Sequence, residues 1–289
     1  MRTCVIVACC VCAALTAAAA APSEPAARSG LIVYWSDSPH PSIWSIRPDG
    51  THRRRILRTR LNAKRPRLSP DRRWIAFDGA APGKPPLSDF DVQVIRPKGT
   101  GRRTLTNSEQ WDIDAQWSPD GTAVIFDRLP PHPMDETASV IWSVRADGTG
   151  LFRFGPGASA RWSPDGRQLV YEATGDDRGD LFVADLDGGR RRLLLATPEL
   201  ERPAAWSRDG ATILFNRSGA SGGSTMFRIG VDGTGLRRFG AGTAAGWSPD
   251  GSQILYTKGL GSSLYVMRND GSRKHKLIAA VRASEPDWR

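Results

Sequence analysis

From Leu31 to the C-terminus the apolar residues never form a sustained i, i+3, i+4 stripe. They fall instead into short runs rich in β-branched and aromatic side chains, broken by Gly, Pro, Asp and Ser. That pattern predicts an all-β chain. The runs also repeat. Trp-Ser-Pro-Asp-Gly begins at Trp117, Trp162 and Trp247, with variants Trp-Ser-Arg-Asp-Gly at Trp206 and Leu-Ser-Pro-Asp-Arg at Leu68, and a last Trp288 closes a series spaced by 41 to 49 residues. A repeat of about 40–45 residues suits a four-stranded propeller blade. Between these motifs runs a second series of tight turns ending in Gly50, Gly99, Gly148, Gly188, Gly233 and Gly271. Six residues before each turn glycine stand Trp44, Gln93, Trp142, Phe182, Phe227 and Tyr265, and two residues further on Ile46, Ile95, Val144, Ala184, Ile229 and Met267. Each period therefore holds four strands: A ends at the motif Trp, B follows the Pro-Asp-Gly turn, C precedes the Asp-Gly turn, and D follows it, carrying paired arginines in four of the copies, at Arg54-Arg55, Arg102-Arg103, Arg191-Arg192 and Arg237-Arg238. The chain enters on a strand B at 31–35 and leaves on a strand A at 285–288, so one missing strand matches one spare strand. The expectation is a six-bladed β-propeller of four-stranded antiparallel blades, its ring closed by the C-terminal strand pairing with the N-terminal blade. A seven-bladed ring or an irregular solenoid is the other arrangement this pattern allows.

At the N-terminus Arg2, an apolar run over 5–15 and small residues over 17–21 read as a secretory signal peptide of residues 1–21. All four cysteines, Cys4, Cys9, Cys10 and Cys12, lie inside it, so cleavage near Ala20 leaves a mature chain without a thiol. An uncleaved anchor helix is one alternative, and lipidation at Cys9, in the loosely lipoprotein-like Ile6-Val7-Ala8-Cys9, is another, although that box lies too close to Met1 to leave room for an apolar region. Residues 22–30 then form a short linker, 31–289 the propeller, and the expected location is the periplasm or the exterior.

The charge balance, 40 Lys and Arg against 30 Asp and Glu in 289 residues, raises polyanions as partners. Its placement changes that picture. Arg53–Arg55, Arg102, Arg103, Arg190–Arg192, Arg237, Arg238, Arg273, Lys274 and Lys276 all fall on or beside strand D, the outer edge of each blade. Basic residues on edge strands prevent edge-to-edge association. The sharper reading is a basic girdle facing an anionic envelope polymer. Nucleic acid is not expected, because export separates the chain from it and no aromatic platform interleaves the arginines.

The Trp-Ser-Pro-Asp-Gly and Asp-Gly-Thr motifs of residues 31–289 resemble the WD-like repeats of TolB-type propellers, which are related to the propellers that cap tricorn and prolyl oligopeptidase-type peptidases. The resemblance is to the propeller domain without the N-terminal TolB domain. It implies blade architecture, with Trp packed between sheets, and a protein-binding role in the cell envelope, since TolB-type propellers bind a peptidoglycan-associated lipoprotein.

Catalytic chemistry finds little support in the residues. Gly157-Ala158-Ser159-Ala160-Arg161 is a poor imitation of a nucleophile elbow, and His40, His52, His132 and His275 are too scattered for a metal lyase. Each Asp-Gly turn offers one or two carboxylates where Ca²⁺ takes six to eight oxygens. No cofactor, metal or catalytic residue is assigned. The rival is a small envelope hydrolase or lyase with axial carboxylates such as Asp112, Asp114, Glu199 and Glu285 in acid–base roles. In an antiparallel meander the short A–B and C–D turns share one face. The opposite face collects the variable loops, including 128–139, 106–114 and 197–202. The predicted ligand site lies at that loop-rich mouth: Arg65, Arg67, Asp114, Gln116, Arg161, Glu285 and Asp287 from the axial strands, with Trp111, Asp112, His132, Asp135 and Arg202 around it. The charged axial residues either pair with one another or converge on a ligand.

Overall fold

The computed structural model describes residues 30–37, 41–58, 63–80, 90–130, 138–187, 189–219, 223–259, 263–279 and 282–289. The proposed leader at 1–21, His40, His132 and Asp135 lie outside them. Among the described residues, twenty-four strands make six four-stranded antiparallel sheets. The first blade holds β1 (Ile32–Ser36), β2 (Ser42–Ile46) and β3 (Arg54–Arg58). The second holds β4 (Lys64–Leu68), β5 (Ile75–Gly79), β6 (Asp91–Ile95) and β7 (Arg103–Thr104), and the third β8 (Trp111–Trp117), β9 (Ala123–Leu129), β10 (Val140–Arg145) and β11 (Phe152–Pro156). The fourth is β12 (Ala158–Trp162), β13 (Gln168–Glu172), β14 (Leu181–Asp185) and β15 (Arg191–Leu195), the fifth β16 (Leu200–Trp206), β17 (Thr212–Ser218), β18 (Ser224–Gly230) and β19 (Arg237–Ala241). The sixth is β20 (Thr243–Trp247), β21 (Gln253–Lys258), β22 (Ser263–Arg268) and β23 (His275–Ile278), after which β24 (Ala283–Trp288) returns to the first blade. There it pairs with β1, Ile32 opposite Trp288 and Ser36 opposite Ala283. Leu31 N–H donates to Arg289 O at 2.7 Å, and Arg289 N–H to Leu31 O at 3.1 Å. The ring is a six-bladed β-propeller, and the C-terminal strand closes it.

The apolar cores sit between blades. One cluster joins Ala76, Val92 and Val94 of the second blade to Trp117, Val124 and Phe126 of the third, and a corresponding cluster fills each of the other five junctions. The motif tryptophan is therefore a wedge. Trp117 Nε1–H donates to Arg67 O and Trp206 Nε1–H to Arg161 O, in each case across to the preceding blade's inner strand. Strand-C aromatics stack on strand-B rings within the sheets, as Phe227 does on Phe215 and Tyr265 on Tyr256.

The Ser-Pro-Asp-Gly turns share one hydrogen-bond pattern. Ser118 Oγ–H donates to Asp120 Oδ1 and accepts from Ala123 N–H, while Asp120 Oδ1 accepts from Thr122 N–H. Ser69 with Asp71, Ser163 with Asp165, Ser207 with Asp209 and Ser248 with Asp250 repeat it. Gly121 closes its turn at φ +73°, and Arg72, where the second blade lacks the glycine, is held at φ +58°.

The strand-D arginines have a more specific task than edge protection. Arg54 donates to Lys98 O, Arg103 to Ala146 O, Arg192 to Val231 O and Arg237 to Asp270 O, each reaching the C–D turn of the next blade. Others lie over aromatic rings, Arg53 at 4.1 Å from the Trp44 centroid and Arg191 at 3.6 Å from that of Phe182. Four of the girdle arginines thus stitch neighbouring blades together.

Candidate functional site

The innermost strands build the axis, and each carries an irregularity. Register shifts interrupt the pairing of β4, β8, β12, β16, β20 and β24 with their strand-B partners. At the position three before the motif Trp (or Leu68), four blades hold a left-handed non-glycine residue: Arg65 at φ +49°, Asp114 at +54°, Ser159 at +56° and Glu285 at +50°. Such conformations cost on the order of 1 kcal/mol each. The other two blades place Pro203 and Ala244 there. The six residues line one axial cavity of about 210 Å³ that opens among the loop ends at Leu129, Ser139, Thr243 and Thr257. Charged residues reach its wall from five of the six blades: Arg65, Arg67, Asp114, Asp127, Arg161, Arg202 and Glu285. Apolar residues, Pro203, Ala204, Ala244, Ala245 and Pro286, share the wall with these and with the polar Asn216, Thr243 and Thr257.

Of the predicted axial residues, Arg65, Arg67, Asp114, Arg161 and Glu285 line this cavity, whereas Gln116 and Asp287 line a second hollow on the opposite, turn face; the charged ones pair. Arg65 Nη1–H donates to Asp78 Oδ2 at 3.0 Å, and its Nε lies 3.3 Å from Glu285 Oε1. Asp114 takes Arg161 at 2.9 Å and Arg67 at 3.6 Å, and accepts a weaker bond from Gln116. Arg67 also donates to Glu285 O, and Asp287 Oδ2 accepts from Leu68 N–H at 2.7 Å. The turn-face hollow, of about 540 Å³, opens among Trp117, Trp162, Trp206 and Trp247. Both hollows are lined by Arg67 and Arg161, so the triad of those arginines with Asp114 stands between them as a plug.

The residues around the mouth sort differently. Trp111 and Asp112 belong to β8 rather than to a loop. Trp111 packs edge-on against Phe90 at 4.7 Å, and Asp112, fully buried, receives a two-pronged bond from Arg128 at 2.6 and 2.7 Å. Neither lines the cavity. Arg202, on β16, does line it, and its Nε lies 3.2 Å from Glu172 Oε2. Glu199 is held by Thr197 Oγ1–H and stands apart from the axis.

Sequence reasoning missed the second ring of polar groups, on strand B. Ten residues after each motif Trp or Leu68 stand Asp78, Asp127, Glu172, Asn216 and Thr257. A polar residue recurring in one register of an otherwise apolar buried strand was the available signal. Two of them accept the N–H freed by the next blade's bulge: Ser159 N–H donates to Asp127 Oδ2 at 2.8 Å and Ala244 N–H to Asn216 Oδ1 at 2.7 Å. Burial pushes the Asp78 carboxyl up to about 7 despite Arg65. Burial, then the charge of Asp114, raises Asp127 well above the usual carboxylate range. Burial opposes ionisation of Asp114 as well, but there Arg161 and Arg67 outweigh it and hold the group low.

Residues 144–288 match the model of the TolB beta propeller domain. The chain belongs to this family. The fold agrees: TolB from Acinetobacter baumannii superposes with a TM-score of 0.78 at 18% identity, over 91% of this chain and 67% of that one. An uncharacterized peptidase, YuxL, of Bacillus subtilis is 32% identical over 117 residues, 38% of this chain and 18% of that protein. A putative tricorn protease homolog of Streptomyces coelicolor is 30% identical over 177 residues, 59% of this chain and 13% of that one. The matches thus span less than a fifth of these two relatives.

Proposed function

We propose that this TolB-family propeller is an exported, non-catalytic scaffold that binds a protein of the cell envelope at its loop-rich axial mouth. Export rests on the signal-like composition of residues 1–21. The observation that carries the binding reading is the state of the axis. Asp114 and Glu285, which acid–base chemistry would need free, are bound to Arg161, Arg67 and Arg65. Strained backbone in four blades aims a rigid, partly apolar cavity at the loop face. Asp112 and Glu199, the other carboxylates of the rival enzyme reading, stand off the cavity. An anionic polymer as partner is the weaker variant, because four of the girdle arginines, Arg54, Arg103, Arg192 and Arg237, already serve the neighbouring blades.

The test is recovery of partners from the native envelope fraction with the wild type, with Thr243→Trp, which fills the loop-face mouth, and with Arg208→Ala on the turn face. Loss with Thr243→Trp alone supports the reading; loss with Arg208→Ala alone shows that the other face works. One observation favours the enzyme instead, since Asp127 is a cavity-lining carboxyl that holds its proton to unusually high pH. Turnover of a peptide and polysaccharide panel, abolished by Asp127→Asn, would establish that reading.

A further inference from the structure

We infer that Asp127 is the seat for a cationic alkyl side chain, a lysine or arginine of the protein partner, entering the axial cavity from the loop face. The inference deepens the binding reading above and rests on it. The carboxylates on the first two strands of the blades are Asp78, Asp112, Asp114, Asp127, Glu172, Glu201, Glu285 and Asp287. Among the described residues every one but Asp127 has an arginine nitrogen within 4.0 Å. The guanidinium groups of Arg65 and Arg161 are engaged by Asp78, Glu285 and Asp114.

The bond Asp127 makes to the protein does not require a carboxylate. Asn216 stands in the same register of the fifth blade and accepts the bulge N–H of Ala244 just as Asp127 accepts that of Ser159. The amide even returns a bond to Ala244 O. Asp127 is 5% exposed, lines the cavity, and has no hydrogen-bond partner for Oδ1 among the described residues. Burial and the charge of Asp114 keep this carboxyl protonated in the unliganded protein, and a cation arriving beside it supplies the partner that lets it ionise, its proton passing to solvent.

The surroundings suit an alkyl cation. Ser139 Oγ lines the same cavity, buried and without a hydrogen-bond partner among the described residues, and an ammonium has three donors to share. Ile113, Leu129, Pro203 and Ala244 offer apolar wall for a methylene stem. At about 210 Å³ the cavity is smaller than the roughly 300 Å³ at which drug-sized sites begin, and so fits one side chain.

The experiment is an amide NMR titration that follows Ser159 N–H, whose acceptor is Asp127. The probes are the amides of N-acetyl-lysine, N-acetyl-arginine, N-acetyl-norleucine and N-acetyl-glutamate. Saturable shifts of Ser159 with a cationic probe and none with the other two are expected. Asp127→Asn, which keeps the acceptor for Ser159, should weaken cation binding on the order of thirtyfold. Ser139→Ala should weaken it by a smaller factor. Equal binding of norleucine amide, preference for the glutamate probe, or unchanged cation affinity in Asp127→Asn would each overturn the seat. Recovery of envelope partners with Asp127→Asn separates the two proposals. Partners kept by both forms, together with failed titrations, leave the docking reading standing without this seat. No partner recovered by the wild type sinks the docking reading itself.

Discussion

Asp127 and Asn216 do the same structural work with different chemistry, which makes the pair a built-in control at the scale of single residues. Burial and the neighbouring Asp114 raise the Asp127 carboxyl, against Arg161 and Arg65. The folded chain therefore keeps a proton there that the unfolded chain releases near pH 3.9. Stability is then lost as pH rises above that value, the sign expected when the native state binds more protons. Asp127→Asn should leave the melting temperature unchanged at pH 4 and raise it at pH 8; a lower value at pH 8 would show that the carboxylate is an asset to the fold. The stitching arginines give a second residue-level expectation. Arg103→Ala removes the bond to Ala146 O and the contact over Trp74, and should cost about 1 kcal/mol in denaturant unfolding. At the junction of the third and fourth blades the corresponding position is Phe152, 58% exposed, and Phe152→Arg should be neutral or stabilising there. The arginines were plain in the sequence. Their acceptors, carbonyls about forty residues away, were not, because a backbone oxygen has no residue type to read.

At the scale of elements, turns and bulges divide what pattern reveals from what it hides. The Ser-Pro-Asp-Gly turns could be read directly, since each residue type meets a local need. The serine hydrogen bond comes first among the causes that hold Asp71, Asp120, Asp165 and Asp209 below the usual carboxylate range. Where the motif is broken, Arg72 still adopts φ +58°. Replacing it with glycine removes a left-handed penalty of roughly 1 kcal/mol and gives part of that back as unfolded-state entropy. Arg72→Gly should therefore stabilise by about 0.5 kcal/mol, and a destabilisation by chemical denaturation would mean that the guanidinium makes a contact worth more than the strain. The bulges on the inner strands could not be foreseen. They replace no residue type consistently, occurring at Arg65, Asp114, Ser159 and Glu285 alike, and are set by the close approach of six strands around one axis. For the same reason Asp112 and Arg202, assigned to loops by their spacing, lie on β8 and β16, which run further toward the loop face than β4 or β12.

At the scale of the whole molecule, the ring depends on one strand. Removal of residues 283–289 strips β24 from β1, opens the Trp288 cluster, and takes Glu285 and Asp287 out of the axis. A loss on the order of 5 kcal/mol, or failure to fold, is expected, and an unchanged melting temperature would contradict closure. Blade number and closure were legible because a missing strand and a spare strand can be counted. The candidate site was legible only in outline, since side-chain pairing across the axis joins residues as distant as Arg65 and Glu285. The most direct measurement is site-specific photocrosslinking in the native envelope, with a benzophenone residue at Thr243 on the loop-face mouth or at Arg208 on the turn face. Adducts to a discrete protein from position 243 and none from 208 are expected. Adducts from 208 alone would place the working surface on the opposite side of the ring.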